Sequence, residues 1–210
     1  GILLHGFGAS GEDLLSLAPL FPVRERWLFP HAPARLEWGG MLYGHAWFPR
    51  ESREMESAMS GAYFAKLRSL DPQGLTESAE EVIELAESHG VAWGETILGG
   101  FSQGSMVALE VAVRTPEPPK GVVLFSSSLI AEQRWQATAR EQARRGTTPS
   151  TLFQSHGNSD QVLPYSEGRA LFDLLHDGGW ESTFVSFRGG HEIPPDVARE
   201  AHTVLYERSG

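Results

Sequence analysis

Six residues, Gly99-Gly100-Phe101-Ser102-Gln103-Gly104, put a serine between glycines where a short apolar run gives way to a helical stripe. Thr96-Ile97-Leu98 stands before them, and Met106, Val107, Leu109 and Val111 open a mostly apolar helix after them. A side chain at so sharp a strand-to-helix corner is pushed out of the chain path, while glycines at 100 and 104 leave room for neighbouring backbone. That is the setting a nucleophilic serine needs. It also requires a buried strand that feeds straight into a central helix, which few folds offer.

The rest of the chain keeps the same rhythm. Predicted strands cover 2–5, 26–29, 96–99, 121–126, 151–156 and 182–187, with predicted helices at 11–20, 75–89, 103–114, 129–145, 165–177 and 194–208. Ser10 and Asp13 form an acidic variant of a capping pair for the first helix. The strands are continuously apolar, as in a mostly parallel sheet covered by helices on both faces. The expectation is therefore an α/β fold in a single domain over 1–210. The segment 34–70 breaks the rhythm. It carries many bulky apolar residues without a sustained period, and reads either as an irregular excursion that packs down or as the wall of an apolar pocket.

Composition removes several classes of function. The net charge is −10, and Lys66 and Lys120 are the only lysines. The densest basic cluster, Arg134, Arg140, Arg144 and Arg145, alternates with Glu132 and Glu141 and reads as a solvated helix face. No basic tract could follow a phosphate backbone, so no nucleic-acid partner is expected. The chain has no cysteine, which removes disulfides, thiolate metal sites and a cysteine nucleophile. No apolar run approaches the length of a membrane span, so no stable membrane insertion is expected. Histidines are scattered rather than paired at ligand spacing, and neither a metal nor any other cofactor is expected. The chain opens at Gly1 on a predicted strand, without an initiator methionine, so its natural start is expected upstream. The expected location is the cytoplasm.

Open parallel sheets place ligands at the carboxyl ends of their strands. Three such ends are polar and glycine-rich: Leu4-His5-Gly6-Phe7-Gly8, Gln154-Ser155-His156-Gly157-Asn158-Ser159-Asp160 and Phe187-Arg188-Gly189-Gly190-His191-Glu192. A serine hydroxyl needs an imidazole to take its proton, and that imidazole needs a carboxylate to fix its tautomer. His191 is the candidate base, after its Gly-Gly approach. Asp160 is the candidate acid, in a turn closed by Val162-Leu163-Pro164; Glu192, adjacent to His191, is the poorer choice. His5 and His156 precede glycines and are expected to fix loops by hydrogen bonds. Oxyanion donors are expected from the backbone N–H of Gln103 and of Phe7, with the Gln103 side chain structural. The substrate groove is expected to draw on Met41, Leu42, Trp47, Phe48 and Met55 from the 34–70 segment, and on Leu163 from a strand-end loop.

These pieces, with Pro30-His31-Ala32-Pro33 and Ala46-Trp47-Phe48 added, run in an order that resembles the phospholipase/carboxylesterase family of the α/β-hydrolase superfamily, which includes the acyl-protein thioesterases. The resemblance implies a serine esterase with Ser102, Asp160 and His191 as triad, Phe7 and Gln103 as oxyanion hole, and a monomeric or dimeric state. It also implies that the family's first strands, ahead of the His-Gly turn, are missing from this chain. Two departures bear on substrate: Pro49 stands where the family usually has aspartate, and Gln161 where it often has proline.

The leading expectation is hydrolysis of short-to-medium-chain carboxylic esters through an acyl-enzyme. An acyl-protein thioesterase acting on S-acylated protein, or a lysophospholipase, would use the same triad on a lipid ester. A non-catalytic binding protein of the same fold is the alternative from another class. A dinucleotide-dependent dehydrogenase is disfavoured, because no G-x-G-x-x-G follows a strand with a carboxylate about 20 residues on.

Overall fold

The computed structural model describes residues 1–21, 26–49, 68–69, 72–148 and 151–207. Among the described residues five parallel strands form the central sheet, β1 Ile2–Leu4, β4 Ile97–Phe101, β5 Gly121–Phe125, β6 Thr151–Gly157 and β7 Ser182–Phe187, in the order β1-β4-β5-β6-β7. Adjacent residues in these strands serve opposite layers, which is why the runs look continuously apolar. Leu98, Val122, Leu124 and Leu152 face one core, and Ile97, Val123, Phe125 and Phe153 face the other.

Among the described residues the first core is covered by α1 Leu75–Ser88, α2 Gln103–Arg114, α3 Glu132–Arg145 and α4 Tyr165–Asp177. The second is covered by a 3₁₀ helix, Gly11–Leu20, and by α5, Pro195–Glu207. The expected α/β architecture, with helices on both faces of a parallel sheet, is observed.

Three expectations about local structure need correction. Residues 26–29 form no strand: only Leu28 bridges Ile2, with Leu3 N–H donating to Leu28 O at 3.0 Å, before Pro30 ends the pairing. The helix at 11–20 is 3₁₀ rather than α, and it contains Pro19, which removes a donor from its last turn. Asp13 does act at its start, accepting from the Ser10 backbone N–H at 2.7 Å and from the Ser10 hydroxyl at 3.0 Å.

The third correction concerns the segment read as irregular. Its first part is an antiparallel hairpin, β2 Ala34–Trp38 and β3 Met41–Ala46, with a register shift between Leu36 and Glu37. β2 is exposed on both faces and β3 is exposed over Met41–Tyr43, with burial only at the small residues Gly44 and Ala46, so no hydrophobic period marks them. The turn residues Gly39 and Gly40 have φ of +60° and +80°, and that Gly-Gly pair was the legible signal. Residues 50–67 lie outside the described residues, and with them Met55.

Two interactions position α2, the helix that carries the candidate nucleophile. At its N-terminus Gly104 crosses the end of β1 so closely that a Cβ would collide with the Leu4 and His5 carbonyl oxygens. Behind it Glu110 is fully buried and accepts from Arg114 Nε at 2.5 Å, Trp135 Nε1 at 2.7 Å and Arg134 Nη1. Arg134 therefore leaves the solvated face expected for its cluster and ties α3 to α2, whereas Arg144 and Arg145 stay outside and pair with Glu141.

Gly104→Ala is expected to destabilise by at least the roughly 1–3 kcal/mol typical of overpacking, since backbone rather than a movable side chain stands in the way. Gly146→Ala, at a φ of +68° with open space around it, should cost only about 1–2 kcal/mol of left-handed strain. Urea unfolding of the two variants measures the difference.

Candidate active site

Ser102 sits at the corner between β4 and α2 with φ 54° and ψ −120°, a region that non-glycine residues enter only when surrounding structure holds them there. The holding contacts are visible. The Ser102 N–H donates to Phe125 O at 3.0 Å, tying the corner to β5, and the Ser102 carbonyl accepts from Ser105 N at 3.1 Å and Ser105 Oγ at 2.5 Å. Gly6 faces the corner from the other side, where a Cβ would lie 3.3 Å from Ser102 Cβ.

His191 follows β7. Its ring packs on that of Phe101, the residue before the serine, with centroids 4.7 Å apart. Its Nδ1 donates to Asp160 Oδ2 at 2.7 Å. The loops that carry these two residues are laced together by Asn158 N–H to Phe187 O and Ser159 N–H to Gly189 O, both at 3.0 Å. Serine corner, imidazole and carboxylate, predicted from three separate strand ends, are thus brought to one place. Glu192 is used differently, accepting the Gly190 N–H at 3.2 Å.

The Asp160 side chain has no solvent exposure, yet it is fully partnered. Oδ1 accepts the Val162 and Leu163 N–H groups at 2.8 and 2.9 Å, and Oδ2 receives His191 and, at 3.3 Å, His156 Nε2. Burial pushes its carboxyl up, but the hydrogen bonds from His156, His191 and Leu163 outweigh that and hold it well below the usual carboxylate range.

The first strand's end is built around His5. Its Nδ1–H donates to Gly6 O at 2.8 Å and its Nε2 accepts the Ala32 N–H at 3.0 Å, which fixes the neutral tautomer and the loop-fixing role expected of it. Burial pushes the His5 imidazole below its ordinary value, against the Gly6 carbonyl, which works the other way. Phe7 lies in the turn that follows. The hairpin braces that turn: Gly8 N–H donates to His45 O, His45 N–H donates to Ala9 O, and His45 Nδ1 donates to Ala32 O, each at 2.9 Å. The sequence reading had no part for His45. Gln103, the first residue of α2, has no acceptor for its N–H within its own helix. Its side chain is structural as expected, accepting the Trp47 N–H at 2.9 Å and donating to Phe48 O at 2.8 Å.

The expected groove residues separate. Trp47 and Phe48 are core residues, 3% and 6% exposed, and Trp47 Nε1 donates to His5 O at 2.8 Å, so they brace the corner from beneath rather than offering an open wall. Leu163 is 1% exposed and serves through its backbone, donating to Asp160 and accepting from His156 Nε2 at 2.9 Å. Met41 and Leu42 stand at the hairpin tip with Trp38 and Tyr43, exposed around a shallow surface pocket. The large apolar contact area of Trp47 and Phe48 drives their burial, while the tip has no described element to cover it. Among the described residues no helix is long and apolar enough to cross a membrane.

A strained serine at a strand-to-helix corner, beside a hydrogen-bonded imidazole–carboxylate pair on a parallel sheet, defines the class: an ester-cleaving hydrolase of the α/β-hydrolase superfamily. The chain belongs to the Phospholipase/Carboxylesterase family, whose model matches residues 2–208. It is 26% identical over 219 residues to the acyl-protein thioesterase 1 of Neurospora crassa, covering 99% of this chain and 85% of that protein. The acyl-protein thioesterase 1 of Mycosarcoma maydis is 29% identical over 193 residues, covering 82% and 73%. Among solved structures, esterase PE8 superposes with a TM-score of 0.74 at 27% identity, over 98% of this chain and 90% of that one. Acyl-protein thioesterase 2 of Zea mays shares the fold, with a TM-score of 0.76 at 24% identity over 100% and 93% of the two chains.

Acid should unfold this protein in two stages. Unfolded, His5 takes a proton near the ordinary histidine value of about 6.5. Folded, it resists, so the unfolded chain binds more protons below that pH and stability falls as pH falls. Asp160 contributes fully above the ordinary carboxylate value of about 3.9, and its contribution is lost as pH drops further towards its depressed folded value. Melting temperatures from pH 8 to 3 should therefore decline below about 6.5 and again below about 4. His5→Gln should shrink the first decline and Asp160→Asn the second.

Proposed function

We propose that this chain, read as one hydrolase domain, cleaves fatty acyl esters and thioesters through an acyl-enzyme on Ser102, with acyl thioesters of the kind carried by S-acylated proteins as the favoured substrate class. The observation that carries the reading is the Asp160–His191 pair, hydrogen-bonded at 2.7 Å, packed against the ring of the residue preceding Ser102.

In this reading Asp160 keeps the His191 proton on Nδ1, leaving Nε2 to accept the proton of the Ser102 hydroxyl as its oxygen attacks the acyl carbonyl. The negative oxygen of the tetrahedral intermediate is held by the backbone N–H groups of Phe7 and Gln103, the latter aided by the positive end of α2. Collapse expels the alcohol or thiol, protonated from His191. Water, activated by the same imidazole, then releases the acid and restores the serine. A thiolate leaves more readily than an alkoxide, so the thioester makes the smaller demand on proton transfer.

The thioester preference is supported by the names of the curated relatives, which are acyl-protein thioesterases along most of this chain's length. A small-ester carboxylesterase is the second reading, favoured by the 27% identity to esterase PE8. Recognition of the acyl chain is assigned to the strand-end loops together with the segment that contains Met55.

Ser102→Ala should fold normally and lose about 10⁴-fold or more in kcat, and a fluorophosphonate should label wild type at Ser102 alone. Asp160→Asn should lose a comparable factor while Glu192→Gln keeps most activity; the reverse pattern would put the acid at Glu192. Parallel ester and thioester series from acetyl to palmitoyl separate the two substrate readings. Under the thioester reading kcat/KM climbs by up to about fourfold per methylene until the chain is accommodated. A maximum at acetyl or butyryl esters would favour the small-ester enzyme.

A further inference from the structure

His156 lies four residues before Asp160, at the end of β6, and neither it nor the Asp160 side chain has any solvent exposure. Its Nε2 stands 2.9 Å from the Leu163 carbonyl and 3.3 Å from Asp160 Oδ2. Both are acceptors, so the ring must carry a proton on Nε2 and share it between them. The other nitrogen, Nδ1, is buried without a hydrogen-bond partner, and a proton there would find no acceptor. The ring is fixed from behind as well: a Cβ at Gly168 would collide with Nδ1, so the backbone of α4 sits directly on it, and Gln154 Nε2 donates to Gly168 O at 2.6 Å to keep α4 there.

We infer that His156 is a positioning residue for the hydrolytic reaction, donating from Nε2 to the Asp160 carboxylate and to the turn that closes on it, so that Oδ2 is aimed at His191. The inference rests on the reading of Asp160 as the acid of the relay. Without the His156 donor, Oδ2 would face a single partner and the 160–163 turn would lose the bond from His156 to the Leu163 carbonyl. The carboxylate could then rotate away from His191 within its buried site. The charge left on Oδ2 would also fall wholly on His191 and favour its protonated form.

Of the other ionisable groups beside this site, Tyr165 on α4 makes a perpendicular ring contact with His156, centroids 6.0 Å apart, Glu167 is bound by Arg68 through two bonds of 2.7 Å, and Glu192 takes the Gly190 N–H. None replaces the His156 donor.

The test combines a measurement on wild type with three variants. Selective ¹⁵N labelling of histidine at pH 7.5 should find the His156 proton on Nε2; a proton on Nδ1 overturns the inference even if no variant folds. His156→Leu should lower kcat by roughly 10- to 100-fold, the value of a hydrogen bond to a charged group, with KM changed less than about twofold because the ring touches no substrate. The pH at half-plateau of kcat/KM should rise by about half a unit or more, a shift that packing damage alone would not cause. His156→Gln, whose amide nitrogen reaches nearly as far as Nε2, should restore most of the rate and the original midpoint. Wild-type kcat and midpoint in His156→Leu would overturn the inference. So would equal losses in the Leu and Gln variants with an unmoved midpoint. Asp160→Asn separates the two levels. A loss of about 10³-fold or more there, beside a normal His156→Leu, defeats the positioning role alone; a rate within threefold of wild type defeats the triad reading and this inference with it.

Discussion

Ser102 is held at a positive φ, and a conformation that costs on the order of 1–3 kcal/mol persists only where its surroundings leave no alternative. Those surroundings are backbone. The Phe125 carbonyl takes the serine N–H, and the first turn of α2 is pressed against the last carbonyls of β1 at Gly104. Because β1, β4 and β5 are neighbours in one parallel sheet, the corner cannot relax without breaking pairing on both sides of β4. The strand order thereby fixes the position of the proposed nucleophile.

Buried charge in this molecule is used in two ways. Glu110 is a structural anchor: two arginines and an indole N–H satisfy it, and it binds α3 to the back of the nucleophile helix. The Asp160 side chain is equally hidden and equally satisfied, but one of its four partners, His191, lies beside the serine corner. Full partnering offsets the cost of holding either carboxylate away from water. The difference lies in the partner's chemistry: Glu110 holds arginines, which keep their protons, whereas Asp160 holds an imidazole beside the serine corner, a group able to exchange one in the proposed reaction.

The hairpin 34–46 gives the candidate oxyanion turn its rigidity. His5, Ala32 and His45 form a chain of hydrogen bonds from the end of β1 to β3, and backbone bonds from Gly8 and to Ala9 close it. Trp47 and Phe48 then connect the end of β3 to Gln103 at the head of α2. Residues read from sequence as a groove wall therefore tie the head of α2 to the end of β1. Their apolar bulk marked them as packed, but could not say against what.

The sequence by itself determined the sheet-and-helix alternation, the serine corner and the three polar strand ends, because local rules govern them: a continuous apolar run is a buried strand, and glycines flank a backbone that must turn sharply. It also named Ser102, Asp160 and His191 as one group, since their types follow from the chemistry of activating a hydroxyl and their order matches the family the chain resembles. It missed the hairpin, which buries only small residues near the end of its second strand and leaves no hydrophobic period, and it gave a strand to 26–29, where only Leu28 found a partner. Only the tertiary structure decided that Trp47, Phe48 and Leu163 support the site from within the core, and that His156 shares Asp160 with His191. The first depends on how much space the packed layers leave. The second depends on distances of a few ångströms between side chains from separate loops, and no periodicity in a chain records either.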